Sequence, residues 1–200
     1  MKNGLLLRAL DQAQRNQWRN IMTVAQRTIS LKLIMGNPAP DLSIQTVDHG
    51  VWELENQMPQ NFTMVVFYRG LHCPICLQYI EELERKLPEF QQLGVEAIAI
   101  SGDTCDLAQK FKANGNIEHL PIGYGLTSKQ MHSWGLYLSQ GHFPQEPALF
   151  SEPALYLIKP NGELYLANLG THPFSRISFD SLLQGLEYVI PKNYPVRGTE

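Results

Sequence analysis

Cysteine is scarce in this chain, with three residues in 200. So few, and an odd number, do not make a disulfide framework. They suit a reducing compartment with one cycling pair. The chain lacks a charge excess of either sign. A net charge of −3 carries no electrostatic signature of a nucleic-acid or membrane partner. It also lacks any apolar run long enough to span a bilayer. Leu5-Leu6-Leu7 is followed closely by Arg8, Asp11 and Arg15, so no signal peptide is read and a cytoplasmic location is expected. There is no internal repeat, no low-complexity tract and no G-x-G-x-x-G. No metal, flavin or nicotinamide site is visible, and no cofactor is expected.

What is present is a globular composition, 44% apolar and 18% charged, on a chain able to bury a sizeable core. The chain is organised around residues 62–76. Phe62 to Tyr68 is an apolar run rich in β-branched and aromatic residues, the pattern of a buried strand. Gly70 breaks it. Pro74 to Leu87 predicts a helix, with Ile75, Tyr79, Ile80, Leu83 and Leu87 on one apolar face and Pro74 in the first turn, where a missing N–H is tolerated. Cys73 therefore sits at a strand-to-helix junction. Free backbone N–H groups and the helix macrodipole favour an anion there, and the anion of cysteine is the thiolate, the nucleophile of disulfide exchange. Cys76 lies one turn along the same face, so the two can close a short disulfide. Arg69 and His72 add positive charge nearby, which favours the thiolate further. Cys73 is the attacking candidate and Cys76 the resolving one.

The rivals to this reading are specific. Half of a zinc site is one, but Cys105 and six scattered histidines supply no second tight pair. A c-type haem attachment needs histidine after Cys76, where Leu77 stands. Two buried structural thiols on a helix are the bland alternative. Cys105, at the start of a later helix on the same sheet edge, is a lesser candidate for a resolving role.

Along the chain, residues 4–34 predict one long amphipathic helix or two, either packed on its own domain or acting as the arm of a homodimer. Gly36 to Pro40 is a connector. Asp41 to Thr46 and Val51 to Leu54 form a small hairpin. Pro88 kinks or ends the C-x-x-C helix. Val95 to Ser101 is a central strand, giving a parallel βαβ unit. Asp103 or Thr104 caps a helix over Cys105 to Lys112. Leu120 to Tyr124 is a short strand and Ser128 to Trp134 a short helix. Residues 138–153 read as a long loop. Ala154 to Ile158, the turn Lys159-Pro160-Asn161-Gly162 and Glu163 to Ala167 make a hairpin. Phe179 to Ile190 is a closing helix, and residues 191–200 read as a frayed tail. The expected architecture is α/β, a mixed central sheet with helices on both faces: an N-terminal extension (1–35), a main domain (36–190) and a tail.

Four segments carry a resemblance. Gly36-Asn37-Pro38-Ala39-Pro40-Asp41-Leu42 is similar to a G-x-x-A-P-D-F segment. Phe67 to Cys76 resembles F-Y-R-G-x-W-C-P-x-C. Val95 to Asp103 matches a strand ending in S-x-D, and Pro153 to Leu166 a P-x-x-x-x-I-x-x-x-G-x-[IL] hairpin. Together they resemble the thioredoxin-fold redoxins, and more closely the peroxiredoxin-like proteins of the alkyl hydroperoxide reductase C / thiol-specific antioxidant family, in its C-x-x-C branch. The resemblance implies a thioredoxin-like fold and a thiol-dependent antioxidant oxidoreductase acting on a peroxide or a disulfide. It implies a cellular thiol reductant of the thioredoxin or glutathione type. It implies that Pro153 is a cis-proline facing the C-x-x-C. Against the family's P-x-x-x-T-x-x-C, Val66 takes the proline place and Gly70 the Thr/Ser place, and His72 replaces the tryptophan. A redoxin scaffold used only for binding or redox sensing remains the alternative to an enzyme.

Overall fold

A computed structural model describes residues 33–200. The helix read over residues 4–34 lies outside them but for Leu33 and Ile34, which are not helical. The main sheet has seven strands in the order β2-β1-β5-β4-β3-β8-β9. These are β1 (Ser43–Thr46), β2 (Gly50–Glu53), β3 (Phe62–Phe67), β4 (Val95–Ile100), β5 (Ile122–Tyr124), β8 (Ala154–Ile158) and β9 (Leu164–Leu169). β3, β4 and β5 run parallel, while β8 and β9 add antiparallel on one side and β1 and β2 on the other. The helices are α1 (Pro74–Gln92), α2 (Cys105–Asn114), α3 (Ser128–Ser133) and α4 (Phe179–Val189).

β3 is buried along its whole length, and its alternation divides the core. Met64, Val66 and Tyr68 face a cluster with Ile80, Leu83, Leu87 and Phe90 of α1, Phe111 of α2 and Leu182 and Leu186 of α4. Val65 and Phe67 face the other way, onto Met131 and Trp134 at α3, with Ile98, Ile100 and Tyr156. Helices therefore cover both faces, as the mixed α/β reading required.

Three sequence expectations need correction. α1 does not end at Pro88 but runs through it to Gln92. Pro88 is on the exposed side, and Leu87 and Phe90, buried on either side of it, hold the last turn against the sheet despite the missing N–H. Residues 138–153 are not a plain loop: β6 (Leu138–Gln140) and β7 (Leu149–Ser151) pair as a separate antiparallel ribbon. Their three-residue length gives too little alternation to read as strand. The last ten residues are not frayed. Met35 N donates to Gly198 O at 3.1 Å and Tyr194 N to Val189 O at 3.0 Å, and Val196 packs on the core.

Register sets the place of the site. Phe67 pairs with Ile100 on one side and with Ala154 on the other. The segments leaving β3 (from Tyr68), leaving β4 (from Ser101) and entering β8 (to Pro153) therefore converge at one edge of the sheet.

Candidate active site

The junction between β3 and α1 is built on a close backbone approach. Gly70 has φ +129°, outside the range that residues with a Cβ favour. A Cβ there would lie 2.6 Å from Asp103 Oδ1. The same carboxylate accepts a hydrogen bond from Leu71 N at 2.8 Å, which ties the loop after β3 to the loop after β4. Asp103 is 3% exposed, and burial pushes its pKa up, opposed by the Leu71 bond. It is thus a clamp on the neighbouring loop; the N-cap of α2 is Thr104, with no side-chain cap bond.

Cys73 is the N-cap of α1. Its Sγ accepts from Cys76 N at 3.2 Å, and its carbonyl accepts from Leu77 N at 3.2 Å. Cys73 therefore stands at the helix start as a cap, in which sulfur takes the part that serine oxygen plays elsewhere. The sulfurs of Cys73 and Cys76 lie within disulfide-bonding distance, with their Cα atoms 5.2 Å apart. Cys73 is 3% exposed and Cys76 fully buried. Pro74 and Ile75 between them are exposed.

The basic groups are arranged differently from expectation. Arg69 turns to the ribbon: its Nη2 is 3.3 Å from Glu146 Oε1, its Nε 3.5 Å from Glu152 Oε2, and its guanidinium lies over the Phe150 ring at 4.6 Å. Glu152 is 5% exposed and takes a 2.6 Å hydrogen bond from Ser139 Oγ. His72 packs on Phe150, ring centres 4.7 Å apart. Burial, and then Arg69, hold its pKa below the ordinary histidine range, so at neutral pH it is an uncharged imidazole and adds no cation to the cysteines.

The cation that reaches the pair is one the sequence reading missed. Arg176 Nη2 donates to Cys76 Sγ at 2.9 Å. Its Nε donates to Pro173 O at 2.6 Å, and its plane lies 4.7 Å over the Tyr79 ring. Tyr79 is itself fixed by a 2.8 Å bond from its hydroxyl to Ile177 O and by stacking on Phe179. Burial lowers the Arg176 pKa to about 10, which leaves the guanidinium charged at neutral pH. No local pattern signals it, since Arg176 follows Cys76 by 100 residues in an irregular segment.

The remaining candidates separate. The Glu152–Pro153 bond is not cis, because the described residues contain no cis peptide. Pro153 instead precedes β8 as an ordinary trans residue, its carbonyl accepting from Gly170 N at 2.8 Å, a position proline tolerates. Cys105 is a free, half-buried thiol beside Tyr124, whose phenol pKa is raised, chiefly by a hydrogen bond with Cys105.

The sheet order and a cysteine pair opening the helix after the central strand define a thioredoxin-like redox protein. The chain belongs to the AhpC/TSA family, whose profile matches residues 35–167, and it is a thiol-dependent oxidoreductase. No curated protein sequence gives a match. Among solved structures, a cysteine-to-serine mutant of peroxiredoxin 6 from Arenicola marina superposes with a TM-score of 0.68 at 15% identity, covering 80% of this chain and 75% of that one. The reduced 2-Cys peroxiredoxin of Plasmodium vivax gives 0.67 at 20% identity, covering 80% and 84%. The yeast mitochondrial 1-Cys peroxiredoxin gives 0.65 at 14%, covering 80% and 78%. At these identities the likeness is one of fold. Among the described residues, no helix is long and apolar enough to cross a membrane.

Proposed function

We propose that the chain reduces peroxides through the Cys73–Cys76 pair and is returned to the dithiol by a cellular thiol. The observation that carries the reading is the cap geometry: the Cys73 sulfur receives the Cys76 N–H at the start of α1, with the second sulfur within bonding distance. The Cys73 thiolate attacks the distal peroxide oxygen. The O–O bond breaks, alcohol or water leaves after taking a proton, and Cys73 becomes a sulfenic acid. The Cys76 thiolate then attacks that sulfur, hydroxide leaves as water, and the disulfide closes. Two equivalents of a thiol reopen it. The solved yeast mitochondrial 1-Cys peroxiredoxin is described as resolved through glutathione/thioredoxin systems, which supports a reductant of that chemistry here.

A second reading, exchange with a disulfide substrate, is favoured by Gly70. The hydroxyl that the family places there has no room, because the Asp103 carboxylate occupies the space. Disulfide exchange needs only the two cysteines. The test is the rate at which the fully reduced protein loses its Cys73 thiol on mixing with hydrogen peroxide, with Cys73→Ser as control. Loss many orders of magnitude faster than that of a free thiolate supports the peroxidase. Loss at the rate of an ordinary thiolate removes it and leaves disulfide exchange.

A further inference from the structure

We propose that Arg176 fixes the direction in which the Cys73–Cys76 disulfide opens, by holding the Cys76 sulfur as the leaving thiolate while Cys73 takes the incoming thiol. The inference rests on the reading that this pair cycles, and it adds a residue and a polarity to that cycle.

The two sulfurs are not equivalent. Cys73 Sγ receives a neutral backbone N–H at 3.2 Å. Cys76 Sγ receives a guanidinium N–H at 2.9 Å, and charge-assisted donors bind anions about twice as strongly as neutral ones. The other basic groups of the site do not redress the difference. Arg69 is committed to Glu146 and Glu152, and His72 is held neutral. Arg176 is held in place before any chemistry, by the Pro173 carbonyl and by the Tyr79 ring, so placing the donor costs nothing at the moment the charge develops. Access points the same way. Cys76 is fully buried, whereas Cys73 keeps a small exposed area beside exposed Pro74 and Ile75.

The step balances with a thiolate reductant. Its sulfur attacks Cys73 Sγ and forms a mixed disulfide, the Cys73–Cys76 S–S bond breaks, and the electron pair departs on Cys76 Sγ against Arg176. A second thiolate then attacks the reductant sulfur of the mixed disulfide, and Cys73 leaves as thiolate. The pair has gained two electrons and the reductant is now a disulfide. Attack on Cys76 instead would put the leaving charge on Cys73, where no guanidinium donates. Because exchange is faster the lower the pKa of the leaving thiol, the contact favours the first course.

The experiment titrates Cys76 alone. In a full-length Cys73→Ser/Cys105→Ala protein it is the sole thiol, and its ionisation is read by ultraviolet thiolate absorbance. Cys76 is expected to ionise below the ordinary thiol value of about 8.5, although burial by itself pushes a thiol upward. Arg176→Gln in that background raises the value by about 1–3 units, the usual effect of losing an adjacent opposite charge, and Arg176→Lys restores part of it. In the protein with both cysteines, Arg176→Gln lowers the equilibrium constant for reduction by dithiothreitol tenfold or more, about 30 mV per decade. A Cys76 value at or above the ordinary one with Arg176 present overturns the proposal, and that measurement stands even where Arg176→Gln does not fold. No movement on Arg176→Gln overturns it too. Reaction of the unsubstituted protein with peroxide or disulfide, run alongside, separates the two claims. If the pair cycles while Cys76 is indifferent to Arg176, the proposed function stands and this inference falls.

Discussion

At the scale of single residues the site is decided by who occupies the space around Cys73. Gly70 stands where the family carries a hydroxyl, and the structure gives the reason: its φ of +129° and the Asp103 carboxylate 2.6 Å from a Cβ both exclude a side chain. Restoring the hydroxyl by Gly70→Thr is therefore expected to harm the protein. Backbone strain of about 1–3 kcal/mol adds to displacement of a carboxylate that also holds Leu71. Urea unfolding and the peroxide rate read it: lower stability and slower Cys73 oxidation are expected, and a faster rate at unchanged stability refutes the steric account. His72 gives a second residue-scale prediction. Burial is the largest cause of its lowered pKa, and Phe150 is the ring packed on it. Phe150→Ala is expected to move the His72 titration up toward the ordinary value of about 6.5, read by NMR of the imidazole. The linkage sign follows. A base with a depressed folded pKa contributes stability that is present above its unfolded value and lost as pH falls through the folded one. The native protein should lose stability on mild acidification, and His72→Phe should lose less.

At the scale of elements, the C-x-x-C helix is held by its flank as well as its apolar face. Glu84 in α1 accepts hydrogen bonds from Glu118 N at 3.1 Å, His119 N at 2.9 Å and Leu120 N at 2.8 Å. Burial raises the Glu84 pKa, but these donors, His119 first, outweigh it and leave the value lowered. Glu84→Ala is expected to cost about 1.5–3 kcal/mol at neutral pH, the range for a hydrogen bond to a charged group, carried chiefly by Leu120 N, the part-buried donor of the three. A carboxylate with a depressed folded pKa supplies stability above its unfolded value and loses it as pH falls through the folded one. The difference between the two proteins should therefore shrink toward about pH 4, by urea unfolding at both pH values; a constant difference argues against an ionised carboxylate. What the sequence disclosed also divides at this scale. β3, β4 and β8 were legible as apolar runs and α4 by its helical period, and Cys73 was placed because strand, glycine and Pro74 adjoin it. The β6–β7 ribbon carries only three residues per strand. Arg176, Glu146 and Glu152 reach the site from segments whose local pattern says nothing of where they fold, and Pro88 stayed helical because Leu87 and Phe90 outweighed its local rule.

At the scale of the whole molecule, the two ends of the sheet do different work. The edge where β3 finishes holds Cys73, Asp103 and Glu152. The opposite edge, where β3 and β9 begin, is closed by the chain's last residues. Gly36 N donates to Leu164 O at 2.7 Å and Met35 N to Gly198 O at 3.1 Å. Tyr165 Oη donates to Tyr194 O at 3.2 Å, and Val196 packs, partly buried, against the core cluster that contains Met35 and Leu164. Tyr194, Pro195 and Arg197 also wall a groove of about 580 Å³ floored by Leu157, Leu166 and Leu186. A tail that read as frayed is thus a clasp. Its removal, residues 191–200, is expected to lower stability on the order of 2–4 kcal/mol, from a partly buried valine and the three hydrogen bonds lost with Tyr194 and Gly198. The same removal should leave the Cys73 reaction rate within about twofold, since effects at well-separated sites add rather than couple. Urea unfolding and thiol-loss kinetics on the truncated protein read both quantities. A truncation that spares stability denies the clasp. One that slows Cys73 severalfold while the protein remains folded shows that the two edges are coupled through β3, the strand that both share.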